Sequence, residues 1–158
     1  MALNTSVAGL AELDKALAEL GGELGYKTLR TAGRKAMKPV LDAAIAGANE
    51  DTGELKQSIA ITIKKGRGAR GKGGDTAADI SVGATRRSVS VRNDDGTKSR
   101  KELNMINIKA GAQEYGTVNQ KAQPFLRPAL ANNVNQVLSN LSTELKIAID
   151  KAAKKVAK

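Results

Sequence analysis

The sequence predicts an α+β domain: N-terminal helices, a small antiparallel sheet of three to four strands with long hairpin tips, and a long C-terminal helix packed on that sheet. Three observations carry the expectation. Leucines recur at steps of three and four near the start, isoleucines and valines alternate through the middle, and the helical step returns from Leu126 onward. With 158 residues, 41% hydrophobic and 27% charged, the chain fits a single domain over residues 1–158 that buries ~70% of its unfolded surface. Aromatic residues make up 2% of it, so the core must come from Leu, Ile, Val and Ala.

Taken in order, Leu10, Leu13, Leu17, Leu20 and Leu24 line one face of a first helix, with Glu12, Asp14, Lys15 and Glu19 on its other sides. Gly21, Gly22 and Gly25 loosen or break it. Leu29, Ala32, Ala36, Val40 and Ala44 resume the spacing to about Ala48, and Pro39 predicts a kink because it lacks a donor N–H and crowds the preceding turn. Asp51 or Thr52 is placed to cap a short turn with Glu54 reaching back. Ile59, Ile61 and Ile63 then alternate as in a strand. Ile80 with Val82, and Val89 with Val91, continue that pattern, and "MINIKAGAQEYGT" (105–117) is the last extended candidate. Between them lie a mobile basic tip at about 64–78 and a charged loop at about 85–104. From Leu126, the residues Leu130, Val134, Val137, Leu141, Leu145, Ala148 and Ala152 form one apolar stripe; ~28 helical residues would make a rod ~42 Å long.

Charge and composition narrow the chemistry. Twenty-six Lys+Arg against sixteen Asp+Glu give +10 and a pI near 9.9, which favours nucleic acid, an anionic membrane or an acidic protein surface. The absence of Cys removes disulfides and thiolates, and the absence of His removes the commonest general base and metal ligand. The first twenty residues lack the pattern of a signal peptide, and no run reaches the ~20 apolar residues of a membrane span. A protein kept in a cytoplasm, or built into a particle there, is expected.

"GRGARGKG" (66–73) matches two phosphate-binding patterns and satisfies neither. Gly73 stands where a P-loop needs Ser or Thr, and a loop and strand follow where both patterns need a helix. No cofactor is expected. Lys64, Lys65, Arg67, Arg70 and Lys72 put five positive charges in this tip with no acid among them, a candidate contact for DNA or an acidic partner with a salt slope of about −4.5, or else a solvated loop. Asp94 and Asp95 fit turn chemistry better than a metal site. Glu114 has no second carboxylate at helical spacing, and without His no Ser–His pair exists. No metal site and no enzyme is expected.

Two of the three prolines and two of the three aromatic residues fall within residues 112–130. Gly116 permits a sharp turn, Pro124 and Pro128 restrict the backbone around Phe125 and Leu126, and Pro128 suits the first turn of a helix. Tyr115, Gly116, Pro124, Phe125, Leu126 and Pro128 together read as a structural latch, with Phe125 pinning the last helix to the sheet.

Three stretches, "VAGLAELDKAL" (7–17), "TGELKQSI" (52–59) and "QEYGTVNQKAQPFLRPAL" (113–130), give the chain its resemblance to a family. In this order it resembles the lambdoid-type tail-component family of long-tailed phages and prophages, over most of its length apart from 64–78 and 85–104. The resemblance implies a structural virion protein located in the neck or tail. It would be one subunit of a homo-oligomeric ring of six copies, completing the tail and joining it to the DNA-filled head. Its implied partners are neck, terminator or tail-tube proteins and double-stranded DNA in the lumen, with no membrane. A tail-terminator or head-closure ring is the alternative station, and a free basic DNA-binding protein the alternative class.

Overall fold

Helical spacing and strand alternation are both realised in the computed structural model, which describes residues 10–19, 22–49, 53–65, 78–85, 87–103 and 105–156. The elements are α1 (Leu10–Glu19), α2 (Gly22–Ala36), α3 (Lys38–Gly47), α4 (Glu54–Ser58), β1 (Ile59–Lys65) and β2 (Ala78–Ala84), then β3 (Ser88–Arg92), β4 (Lys98–Glu102), α5 (Ile106–Tyr115), α6 (Leu126–Ala131) and α7 (Val134–Val156). The chain is α+β, with two small antiparallel sheets of two strands each, β1–β2 and β3–β4, among the described residues. It divides into two compact units, one of residues 1–38, 63–80 and 134–158, the other of residues 39–62 and 81–133.

In the first unit α7 packs along α2 and α1. Leu13 and Leu17 of α1, Ala32 of α2 and Leu145 of α7 are buried together, with Leu29, Leu141, Ala148 and Ile149 against them. Small residues on the contact face of α2 let helix axes come close. The long last helix thus has helices as its packing partners, where the sequence suggested a sheet. At Gly33 the approach is so tight that an added Cβ would lie 2.1 Å from Cδ1 of Ile80 in β2. Gly25, read from sequence as a breaker, lies inside α2 and is buried. Where a kink is expected ahead of Pro39, the helix is interrupted at one residue: α2 ends at Ala36, Met37 still donates to the Gly33 carbonyl at 3.0 Å, and α3 begins at Lys38. Pro39 then occupies the first turn of α3, where a missing N–H costs nothing.

In the second unit, Val40 and Ala44 of α3, Leu55 of α4, Ile59 and Ala60 of β1, Leu103, Ile106 and Ala110 are buried. Gly53, at φ 66, starts α4, and no side chain caps it; the caps foreseen at Asp51 and Thr52 lie outside the described residues. Glu54 instead accepts from Lys109 at 3.0 Å and lies 3.6 Å from Lys101. The Lys109 hydrogen bond leads the causes that hold its carboxyl below the ordinary range.

Residues 98–102, read as part of a charged loop, pair with β3 in a register that sets Ser88 opposite Glu102 and Arg92 opposite Lys98. The turn shrinks to Asn93–Thr97: Asn93 accepts from Gly96 (3.0 Å, φ 81), and Asp95 Oδ1 accepts from the Thr97 amide (2.9 Å) and hydroxyl (2.6 Å). Such a turn with a left-handed glycine fixes a hairpin without any apolar contribution.

Two further differences concern the last third of the chain. Residues 106–115, the last extended candidate, form α5, because Ile106, Ala110, Gln113 and Glu114 bury one helical face while Ile108 points to solvent. The rod expected from Leu126 is broken at Asn132–Asn133. Asn133 Nδ2 donates to the Ala129 carbonyl at 2.8 Å, and its amide donates to Leu130 at 3.1 Å. An Asn side chain that competes for backbone carbonyls in this way ends a helix. α7 alone is 23 residues long, or ~35 Å.

Candidate functional site

Residues 113–127 of the second unit tie three helix ends together. Gln113, at the end of α5 and buried, donates from Nε2 to the Gly47 carbonyl at the C-terminus of α3 (2.9 Å) and accepts from the Asn49 amide (3.0 Å). Its own carbonyl accepts from the Gln123 amide at 2.7 Å. One side chain thereby closes the last turn of α3, where carbonyls lack partners within the helix.

Glu114 performs the converse task on α6. Its carboxylate, 3% exposed, accepts from the amides of Phe125 (2.9 Å), Leu126 (2.9 Å) and Arg127 (3.2 Å), and from Arg127 Nε (2.8 Å). Phe125, the residue preceding α6, offers no cap of its own. The helix start, with its free donors and positive dipole end, is therefore capped by a charge from another helix. Burial alone would raise the Glu114 pKa; the Arg127 hydrogen bond and the amides of Leu126, Phe125 and Arg127 outweigh it and bring the group down to about 2. Arg127 also donates from Nη2 to the Glu114 carbonyl (3.2 Å) and lies over the Tyr115 ring at 5.0 Å.

Gly116 ends α5 at φ 79 and ψ 177, a backbone region essentially reserved for glycine. A Cβ there would meet the Ala122 nitrogen at 2.8 Å and the Gln120 carbonyl oxygen at 2.9 Å. Residues 117–120 close on themselves through reciprocal Thr117–Gln120 backbone bonds of 2.8 and 3.3 Å. Phe125, 2% exposed, fits against Gly47, whose hypothetical Cβ would lie 3.1 Å from Phe125 Cβ.

Of the latch residues named from sequence, buried Phe125 and half-buried Leu126 are held together by their amides on Glu114, Gly116 ends α5, and Pro128 lies in the first turn of α6. Pro124 and Pro128 are exposed. Tyr115 is 72% exposed and carries Arg127 on its face. Phe125 abuts the end of α3, where the sequence suggested the sheet. Lys64 and Lys65 are exposed at the end of β1, with Lys65 Nζ 5.5 Å from the Tyr26 ring centre. Arg67, Arg70 and Lys72, and the glycines of the two phosphate-loop patterns, lie outside the described residues.

Gln113, Arg127 and Gly47 carry no signal that the sequence analysis uses, and Glu114 enters it only as an acid without a carboxylate partner, whereas its partners are an arginine and three amides. The available signal was an adjacent Gln–Glu pair on one side of the proline-flanked spacer and an Arg on the other. Among the described residues no group of three or more acidic side chains could hold a metal ion, and no helix is long and apolar enough to cross a membrane.

The side chains of Gln113, Glu114 and Arg127 are engaged with each other and with the backbone of their own chain, which makes this elbow a structural brace. A family model described as "Bacteriophage HK97-gp10, putative tail-component" matches residues 11–122, and the chain belongs to that family of phage tail components. No curated protein and no solved structure matched the chain.

Proposed function

We propose that the protein is one subunit of a homo-oligomeric ring in the neck or at the top of a long-tailed phage's tail, where it completes the tail and joins it to the DNA-filled head. Membership of the tail-component family over residues 11–122 carries this reading. The braced elbow supports it, since a subunit of a stacked ring must keep its shape under load from its neighbours. Material for those contacts is present on and beside α5: Met105, Ile108, Tyr115 and Val118 are all exposed, an unusual concentration of large apolar side chains facing water in so small a unit. A heterologous contact between copies generates a ring when its rotation closes. The role is structural, with no catalytic step, and its place is the virion.

Mass measurement on the purified full-length chain, with imaging of particles assembled without it, tests the reading. Filled heads and tails that fail to join, together with a closed oligomer, are expected. Normal, joined particles lacking the protein would overturn it. Tails of abnormal length with intact joining would move it to the terminator station.

A further inference from the structure

The outward face of α2 carries a cationic stripe that neither the tail-component family nor the elbow explains. Lys27, Arg30, Arg34 and Lys35 are exposed on it, and among the described residues they and Thr31 line an open depression of about 500 Å³. The spacing of 27, 30 and 34 puts three of these cations on one helical face with neighbours ~5–6 Å apart. Lys35 pairs with Glu144 of α7 at 2.6 Å. Among the described residues, Arg30 and Arg34 have no acidic partner. Lys151 of α7 borders the same face, sharing a neighbouring groove with Lys27.

We infer that this face of α2 is a contact surface for the phosphate backbone of duplex DNA. Charge complementarity selects the partner class, and the residue types refine it. A protein-binding centre would hold aromatic or aliphatic anchors, and among the described residues this depression has none. An amphipathic helix that binds an anionic lipid surface sinks its apolar side into the membrane, and α2 lacks that mode because Ala32 on that side is buried in a core with Leu13, Leu17 and Leu145. A line of long, flexible cations instead suits a linear polyanion read without sequence preference. From Lys27 to Arg34 the helix rises ~10 Å, a span that lets long side chains reach neighbouring phosphates of a DNA backbone. None of these residues belongs to the basic tip read from the sequence, and the contact requires no ring.

The test is binding of the full-length protein to a labelled mixed-sequence duplex by fluorescence anisotropy across a salt series. Arg30→Gln/Arg34→Gln is expected to weaken binding and flatten the log–log salt slope by ~1.8, about 0.9 per lost phosphate contact. Arg30→Lys/Arg34→Lys keeps the charge and is expected to retain the slope, which separates lost contact from a damaged helix. Arg92→Gln/Lys98→Gln removes equal charge from the β3–β4 hairpin and should change the slope by less than half as much. The inference is overturned by an unchanged slope in the α2 variant, by an equal loss in the hairpin variant, or by wild-type protein that binds polyglutamate and not the duplex. Because binding is read on the protein whose mass has been measured, failure to form a ring sinks the ring reading and leaves this one standing.

Discussion

Replacing Glu114 with Gln tests whether one buried charge holds the elbow. The carboxyl moves from an ordinary 4.5 to about 2 in the folded chain, which corresponds to ~3 kcal/mol of stability at neutral pH. The pKa is depressed, so between the two values the unfolded chain binds more protons than the folded one. The contribution is therefore complete above about pH 4.5 and declines as pH falls toward 2, to roughly half by pH 3. Glu114→Gln removes the charge and turns an amide donor toward backbone donors, so urea unfolding at pH 7, followed by circular dichroism, should show a loss of ~2–3 kcal/mol. The gap between wild type and variant should narrow steadily from pH 5 to pH 3. Arg127→Ala gives an internal check. Its side chain is 63% exposed, so screening limits the ion pair to about 1 kcal/mol, and most of the acid dependence should survive because three amides still face the carboxylate. Identical midpoints for wild type and Glu114→Gln at pH 7, with parallel acid limbs, would refute the reasoning.

Other substitutions probe the same frame. Gly116→Ala forces a Cβ onto the backbone of Ala122 and Gln120 at a glycine-only φ and ψ, so a loss of ~1–3 kcal/mol is expected, read as a lowered melting temperature. Phe125→Ala empties the site beside Gly47 and should cost ~3–5 kcal/mol in chemical unfolding; a loss below ~1 kcal/mol would show that the ring does not fill it. Gly33→Ala places its Cβ against the tip of Ile80 and should destabilise the first unit. Adding Ile80→Val, which deletes the clashing Cδ1, should then recover part of the loss in a double-mutant cycle.

What the sequence made legible follows from how local each cause is. Leu13, Leu17, Leu29, Ala32, Leu141 and Leu145 declare their helices by spacing, and Ile59 with its neighbours declares a strand, because those patterns depend only on which face is buried. The β4 strand was illegible for the same reason: Lys98–Glu102 buries no side chain, and its order comes from the Asn93–Thr97 turn and the register with β3. α5 was misread as extended because Ile106 and Ile108 alternate over a short span, while Ala110, Gln113 and Glu114, two of them polar, supply the helical face. The bend at residues 116–125 was readable from Gly116, the prolines and Phe125. Its chemical centre was not, because Glu114 finds its partners across the bend and no propensity encodes such a partner.

The position of Glu114 is locally unfavourable. It lies in the last turn of α5, where the dipole of its own helix disfavours a negative charge, and only the start of α6 compensates. Neither helix has the length to be stable alone, at ten and six residues against the ~12–15 an isolated helix needs. Each therefore depends on the other's terminus, and Gln113 extends the dependence to α3 through Gly47. Glu114, which weakens its own helix while completing α6, and its neighbour Gln113, which completes α3, make the three ends cooperative: the elbow is formed as a whole or lost as a whole. That behaviour suits a stiff joint in a phage tail component better than a loop that adapts its shape to each partner.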